Sequence, residues 1–180
     1  VETYEVFIRL TDQQGNVVPS EEFLPYAEKS GHFLHIDRWV IATAIEALAK
    51  HIPGNNNTQF IIKLSSVSLS DPKLVPWIEH NLQQHQLDGT RIIFQITSHQ
   101  AAENLKTVQQ LVKQLNDIGC RISFEHFGKE EQSFSLLRHL TTDMLKLDIS
   151  LVRDIMTNAK HLEQVRGICT QASNMNIKTI

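Results

Sequence analysis

The stretch RIIFQITSHQAAENLKTVQQLVKQLNDIGCRISF, residues 91–124, decides the fold class. It opens with a β-rich apolar run at 91–96 and closes with a second one at 120–124. Between these runs, apolar residues recur at helical spacing from Leu105 to Ile118, which predicts an amphipathic helix that ends at Gly119. Two short strands joined by a long helix are typical of a βα unit in a parallel sheet.

The same alternation continues on both sides of this stretch. Further strands are predicted at 4–10, 60–64, 144–147 and 177–180, and further helices at 20–29, 36–48, 71–88, 134–140 and 162–172. The segment 53–57, Pro-Gly followed by three asparagines, is predicted to be a loop. The sequence has neither G-x-G-x-x-G nor G-x-x-x-x-G-K, so no fingerprint supports a doubly wound sheet. A (β/α) barrel is the other solution, and it usually has eight strands.

The composition is that of an ordinary globular domain. The chain has 180 residues, 41% of them hydrophobic, which supports one sizeable core. The formal net charge of −3 argues against binding to a DNA or RNA backbone, although a few local cations can hold a small anion. We expect no membrane insertion, because no apolar run is long enough to cross a bilayer. The two cysteines fit neither a disulfide framework nor a zinc spacing and no leader opens the chain, so we expect free thiols and a cytoplasmic location.

Polar side chains stand at the carboxyl ends of the predicted strands. They are Lys63, Gln95, Glu125, His126, Lys146 and Asp148, together with Glu5 and Arg9 on the first strand. In a (β/α) barrel these ends meet at one mouth, where binding and catalytic residues lie. Charged strand ends are also common as solvated termini, so spacing alone leaves both interpretations open.

Several motifs, taken in order, resemble the EAL domain, the cyclic di-GMP phosphodiesterase barrel. The opening YEVFIRL at 4–10 is similar to the family's Y-E-A-L-L-R-W. Later blocks that resemble family motifs are PSEEFLPYAE at 19–28, IDRWV at 36–40, KLS at 63–65, QIT at 95–97, EHFG at 125–128, LKLD at 145–148 and LVRD at 151–154. The resemblance implies an α/β fold, a TIM-like barrel of the EAL type that is truncated here to about six of its eight strands. It also implies one domain, residues 1–180, that lacks its C-terminal βα units.

The resemblance also implies a metal site whose ligands this sequence has largely replaced. The family's ligand positions fall on Glu5, Lys63, Gln95, Glu125 and His126. Glu5 is retained, whereas an asparagine has become Lys63 and a glutamate has become Gln95. Magnesium and manganese prefer carboxylate oxygens, and a lysine repels a cation. We therefore expect no bound metal, no cofactor and no hydrolysis, although Lys146 matches the family's catalytic lysine.

A closer resemblance is to the FimX-type degenerate EAL domains of type IV pilus regulators. The shared features are the E-V-x-x-R-L opening, LSSVSL at 64–69 and DPKLVPW at 71–77. This group implies cyclic di-GMP binding without hydrolysis and a complex with a small PilZ-domain adaptor, in the control of type IV pili and twitching motility. The sequence is therefore interpreted as a non-catalytic cyclic di-GMP receptor and protein-interaction domain.

The expected ligand contacts follow from this resemblance and from the chemistry of the dinucleotide. They are Phe7, Ile8, Arg9, Pro19, Ser20, Asp37, Lys63, Gln95 and Lys146. Phe7 can stack on a guanine, and Arg9 can pair with a phosphate or a guanine edge. Asp37 can accept hydrogen bonds from guanine N1 and N2. Ile8 supplies a backbone amide and apolar cover, and the Pro-Ser pair flanks the base.

Structural interpretations of the same residues remain open in the sequence. Phe7 can belong to the core, and Arg9 can form an ion pair with Asp37 or Glu5. Asp37 can also be an exposed acid in the first turn of its helix. The two lysines at the former metal site can simply be cations held by Glu125.

Three other functions also remain open. The domain can be a nucleotide-independent protein scaffold, a residual cyclic di-GMP phosphodiesterase or an unrelated β/α enzyme. The open edges of an incomplete barrel allow a domain-swapped dimer. The nine histidines show no transition-metal spacing, and we interpret them as surface residues, apart from His126 in the predicted pocket.

Overall fold

The computed structural model describes residues 1–51, 58–129 and 133–180. It divides the chain into two compact units, Val1–Ile92 and Ile93–Ile180. The loop predicted at 53–57 lies outside the described residues. No helix within the described ranges is long and apolar enough to span a membrane.

The first unit combines a parallel strand pair with a separate hairpin and helices. Its elements are β1 (Glu2–Glu5), β2 (Leu10–Thr11), β3 (Val17–Val18), α1 (Ser20–Lys29), α2 (Phe33–His51), β4 (Thr58–Lys63), α3 (Ser66–Leu69) and α4 (Leu74–Gln84). β1 and β4 pair in parallel, with Glu5 opposite Ile61, whereas β2 and β3 are antiparallel. A 3-10 turn at Gly89–Arg91 follows α4.

The core of the first unit is built on one face of α2. Ile41, Ile45 and Leu48 recur at helical spacing and are fully buried. β4 is buried on both faces over most of its length, as strands of parallel sheets are. α1, by contrast, contains no buried residue. The apolar pattern of α2 therefore predicts its packing, whereas α1 lies on the surface.

The first strand is shorter than the sequence predicts. The ladder ends with the Val6 N–H, which donates to the Ile61 carbonyl at 2.9 Å, and β1 itself ends at Glu5. The segment Phe7–Arg9 that follows is not part of a strand. At Leu10 the chain enters the β2–β3 hairpin, whose turn contains Gly15 at a φ of +87°. The apolar run at 4–10 thus divides into a strand and a free segment.

The helix predicted to begin at Asp71-Pro72 begins two residues later, at Leu74. The Asp71 carboxylate accepts the Lys73 N–H at 3.0 Å and forms an ion pair of 2.7 Å with Arg38 of α2. The Arg38 guanidinium also lies 5.4 Å from the ring centroid of Trp77. Asp71 therefore stabilises the turn before α4 and ties α4 to α2.

The second unit is an alternation of parallel strands and helices. Its elements are β5 (Ile92–Thr97), α5 (Ser98–Glu103), α6 (Leu105–Asp117), β6 (Arg121–Phe127), α7 (Ser133–Leu136), β7 (Met144–Leu147), α8 (Ile149–Val152), α9 (Ala159–Asn174) and β8 (Lys178–Thr179). β5, β6, β7 and β8 pair in this order, and every pairing is parallel. The predicted strand–helix–strand unit at 91–124 is therefore confirmed.

The core of the second unit lies against the helix-facing side of its strands. Phe94 and Phe124 are fully buried, and α6 presents Val108 and Leu115 as fully buried residues. Thr97 and Gln100 form a capping box at the start of α5. Both cysteines of the chain are free thiols, as the sequence predicts.

Candidate functional site

β1 and β4 bring one group of predicted site residues to the same edge of the first unit. Because the two strands are parallel, their carboxyl ends, Glu5 and Lys63, lie at one edge. The last hydrogen bond between the two segments is that of the Val6 N–H to the Ile61 carbonyl, and Phe7–Arg9 follows outside the strand. The segment Phe7–Arg9 therefore begins at the edge where β1 and β4 end.

Phe7 and Arg9 form an exposed pair beyond β1. Phe7 is 64% exposed, so the interpretation of Phe7 as a core residue is wrong. The Arg9 Cζ lies 5.9 Å from the Phe7 ring centroid, within cation–π range, and its Nη1 donates to the Ile8 carbonyl at 3.3 Å. Within the described ranges Arg9 forms no ion pair. An aromatic face and a guanidinium are thus both presented to solvent at this edge.

Asp37, in the first turns of α2, lies at the same edge but is only 7% exposed. Its Oδ2 accepts the Ser65 N–H at 2.9 Å, the Ser65 hydroxyl at 2.6 Å and the Ser68 hydroxyl at 2.6 Å. The interpretation of Asp37 as an exposed acid is therefore wrong. Ser65 and Ser68 belong to the LSSVSL motif, and their contact with Asp37 could not be found from sequence spacing.

Pro19 and Ser20 lie where the β2–β3 hairpin passes into α1. Pro19 is exposed and occupies the N-cap position of α1, with its carbonyl accepting the Glu22 N–H at 3.0 Å. Ser20 is the first residue of the helix and is half-buried. Their contact with a ligand stays a prediction.

The second unit places the other predicted residues on one face of its strands. Gln95 of β5 is the register partner of Ser123 on β6, and Glu125 lies two residues further along that strand. Ser123 in turn pairs with Met144 of β7, two residues before Lys146. Alternate residues of a strand share a face, so Gln95, Glu125 and Lys146 project to the same side. Gln95 and Glu125 are buried, and Lys146 is half-buried.

His126 lies where the backbone is irregular at the end of β6. It has a φ of +56°, and the register between β6 and β7 shifts between Phe124 and Phe127. The imidazole Nδ1 lies 2.9 Å from the Asp148 Oδ2, and Nε2 lies 3.9 Å from the Glu125 Oε1. The His126 side chain is 52% exposed, whereas Asp148 is buried. The sequence gives no signal for this His–Asp pair beyond the position of both residues at strand ends.

Asp148 has a pKa below its usual value. Burial acts to raise it, but hydrogen bonds from Ser150 and from His126 favour the carboxylate and outweigh that effect. A lowered pKa stabilises the folded state above the unfolded pKa of about 4, and this contribution is lost as the pH falls through the folded pKa. The carboxylate of Asp148 therefore supports folding at neutral pH and ceases to do so in acid.

We expect Asp148→Asn to reduce the dependence of stability on acid pH. The urea midpoint of the unmodified chain should fall more between about pH 6 and about pH 3 than that of Asp148→Asn, because the variant has no carboxylate to protonate. Asp117→Asn, which changes an exposed acid paired with Lys113, is the matched control and should retain the full decrease. Equal decreases in all three proteins would contradict the expectation.

The residues at the former metal positions do not fit a magnesium or manganese site. Lys63 supplies an ammonium group where the resemblance implies an oxygen ligand, and Gln95 supplies a neutral amide in place of a carboxylate. His126 is turned toward Asp148. In the part of the chain that the structure describes, no three His, Cys, Asp or Glu side chains are grouped so that they could hold a metal ion. We therefore derive no chemical step through a metal.

This arrangement defines an α/β domain with polar residues at the carboxyl ends of its parallel strands. The sequence model of the EAL domain family matches residues 1–180 of this chain. The chain therefore belongs to the EAL domain family.

Solved structures of EAL domains share the fold of this chain. The FimX EAL domain from Pseudomonas aeruginosa, bound to c-di-GMP, is 35% identical and superposes with a TM-score of 0.91 over 99% of this chain and 71% of that one. The Xanthomonas citri FimX EAL domain, in complex with c-diGMP, is 29% identical, with a TM-score of 0.93 over 99% of this chain and 70% of that one. The predicted α/β fold of the EAL barrel type is confirmed.

Curated relatives include enzymes that act on the same dinucleotide. The cyclic di-GMP phosphodiesterase PdeF of Escherichia coli is 28% identical over 92% of this chain, which spans 22% of that protein. The cyclic di-GMP phosphodiesterase PdeR of the same organism is 26% identical over the whole chain, which spans 27% of that protein. The chain thus spans about a quarter of the length of these relatives.

Proposed function

We propose that this domain is a cyclic di-GMP receptor that does not hydrolyse its ligand. The observation that carries the proposal is the exposed Phe7–Arg9 pair at the edge where β1 and β4 end. The similarity to FimX domains bound to c-di-GMP supports the same ligand.

Each exposed group at this edge matches a part of the dinucleotide. Cyclic di-GMP presents two flat, uncharged guanines and two phosphates, and each phosphate carries a negative charge. The Phe7 ring can stack on a guanine, and the Arg9 guanidinium can form paired hydrogen bonds with a phosphate or with the guanine acceptors. Lys63, exposed at the end of β4, adds a second positive charge. Ile8, Pro19 and Ser20 then cover the base.

Within the second unit, Gln95 and Lys146 are the residues that the resemblance implies as ligand contacts. The two residues share one face of the strands; Lys146 is half-buried and can offer an ammonium group to a phosphate oxygen, whereas the contact of the fully buried Gln95 stays a prediction. A metal-dependent phosphodiesterase would need carboxylates at positions such as that of Gln95, to hold the metal ions that activate water. The replacement of those ligand types is the reason that we propose binding without turnover.

The finer functional assignments rest on the similarity to FimX. We propose that the domain acts in the cytoplasm and passes its signal to a PilZ-domain adaptor in type IV pilus and twitching motility control. Co-purification of a tagged PilZ-domain protein with the domain, in the presence and absence of cyclic di-GMP, tests this partner. A PilZ-domain protein that is not retained under either condition would contradict it.

The binding and hydrolysis assignments are tested together by calorimetric titration followed by product analysis. We expect cyclic di-GMP to bind without added metal and to be recovered intact after incubation with magnesium or manganese. The cyclic di-GMP phosphodiesterase PdeF, treated identically, is the control for turnover. Linear product formed by this chain would identify a residual phosphodiesterase, and absence of binding would contradict the receptor assignment and favour the nucleotide-independent scaffold.

A further inference from the structure

The hydrogen bonds to Asp37 converge on a single carboxylate oxygen. Oδ2 accepts the backbone N–H of Ser65 and the hydroxyls of Ser65 and Ser68, all within 2.9 Å. Among the described residues, Asp37 Oδ1 accepts no hydrogen bond. One oxygen is therefore saturated by the protein, and the other is left for a further donor.

Ser65 directly precedes α3, and Ser68 lies within it. Ser65 occupies the N-cap position, where a serine hydroxyl usually caps the helix, but here it makes no capping hydrogen bond. The hydroxyl is directed to Asp37 instead. Ser68 is fully buried, and its hydroxyl also donates to Asp37 Oδ2. Both hydroxyls thus donate to the Asp37 carboxylate, and the Ser65 hydroxyl does not cap α3.

Three donors on Oδ2 fix the orientation of the whole carboxylate. A carboxylate can rotate about its terminal torsion, whose preferences are broad. Rotation would break hydrogen bonds to a buried charged group, which is costly. With Oδ2 held, the direction of Oδ1 is set before any ligand arrives.

The oriented Asp37 carboxylate lies at the edge of the first unit where β1 and β4 end. Ser65 follows Lys63, the last residue of β4, by two positions, and β1 ends beside it with Phe7–Arg9 beyond. Asp37 is bound to Ser65 and is therefore brought to this edge. Guanine presents donors at N1 and N2, whereas adenine presents an acceptor at N1. An oriented carboxylate oxygen can accept both adjacent guanine donors, whereas adenine offers it the N6 amino group alone.

We propose that Ser65 and Ser68 are positioning residues that orient Asp37 to accept the N1 and N2 hydrogens of a guanine. This inference rests on the proposed function. The contact between Asp37 and guanine is the one that the resemblance already implies; the inference adds that Ser65 and Ser68 hold this acceptor in place without touching the ligand. Preorganisation of this kind lowers the cost of binding, because the ligand does not have to fix the acceptor.

The test is a mutant cycle on cyclic di-GMP affinity, measured by calorimetry. Asp37→Ala should weaken binding about tenfold or more, and the double variant Ser65→Ala, Ser68→Ala should weaken it about as much. The triple variant should bind no more weakly than Asp37→Ala alone, because the serines act through Asp37. Ser66→Ala, one residue away and exposed, is the matched control and should leave affinity unchanged.

If the affinity losses of the single and double variants add up in the triple variant, the proposal is overturned, because the serines would then affect binding independently of Asp37. Thermal unfolding establishes that each variant is folded. If the double variant does not fold, Ser65→Ala alone replaces it in the same cycle, because Ser65 is half-buried and Ser68 is fully buried. An unmodified chain that fails to bind cyclic di-GMP would refute the proposed function itself, a different result from additivity.

Discussion

Replacing Phe7 and Arg9 together by alanine is expected to weaken cyclic di-GMP binding by about 100-fold or more. Stacking of a base on an aromatic ring contributes about 1–3 kcal/mol. A hydrogen bond to a charged group contributes about 1.5–3 kcal/mol. Both side chains are exposed, and neither supports the core, so the fold should be unaffected. Calorimetric titration of the double variant measures the loss.

The matched control removes another exposed aromatic residue and another cation from the same unit. Tyr26, 74% exposed, and Lys29 both lie on the surface of α1. Tyr26→Ala with Lys29→Ala should leave the affinity within about twofold of the unmodified chain. Equal losses in both double variants would show that general surface charge, and not the Phe7–Arg9 pair, holds the ligand.

Gly128→Ala is expected to destabilise the second unit strongly. Gly128 follows β6 with a φ of +87°, in the left-handed region, which costs a residue with a side chain about 1–2 kcal/mol. A Cβ placed there would lie 2.6 Å from the Ile168 Cδ1 and 2.8 Å from the Leu151 Cδ1, so these two buried terminal methyl groups must shift, which adds up to about 1–3 kcal/mol. We expect the Tm to fall by about 5–15 °C.

Gly167→Ala is the control for this prediction. Gly167 lies inside α9, and a Cβ there would meet nothing within 4 Å. Alanine should stabilise the helix by about 0.5–1 kcal/mol and raise the Tm slightly. A Gly128→Ala variant as stable as Gly167→Ala would mean that the Ile168 and Leu151 side chains move aside and that the backbone changes conformation.

The sequence predicts regular elements best where one local pattern decides them. The helix predicted over 105–118 is α6 at Leu105–Asp117, and the strand predicted at 144–147 is β7 with the same bounds. Helical periodicity and a short apolar run are visible without any partner, because they reflect local burial on one face or on both. These elements carry the βα alternation that defines the fold class.

Element ends were predicted less well, because pairing decides them. The apolar run at 4–10 has the composition of one strand throughout, yet β1 ends at Glu5. The ladder to β4 stops at the Val6 N–H, after which Phe7–Arg9 becomes a free segment. Composition cannot distinguish a paired residue from one that has just left the sheet.

The sequence alone determined the residue types at the former metal positions, and with them the expectation of binding without hydrolysis. The ammonium group of Lys63 repels a divalent cation, and the amide of Gln95 lacks the negative charge of the carboxylate that it replaces. The order of the motifs also determined the family.

Only the tertiary structure decided which side chains act together. Asp37 and Ser65 are 28 residues apart in sequence, and His126 and Asp148 are 22 apart. Hydrogen bonds between such residues depend on how strands and helices pack, which no local pattern specifies. The exposure of Phe7 was decided in the same way, because an aromatic residue after a strand is buried or exposed according to what packs against it.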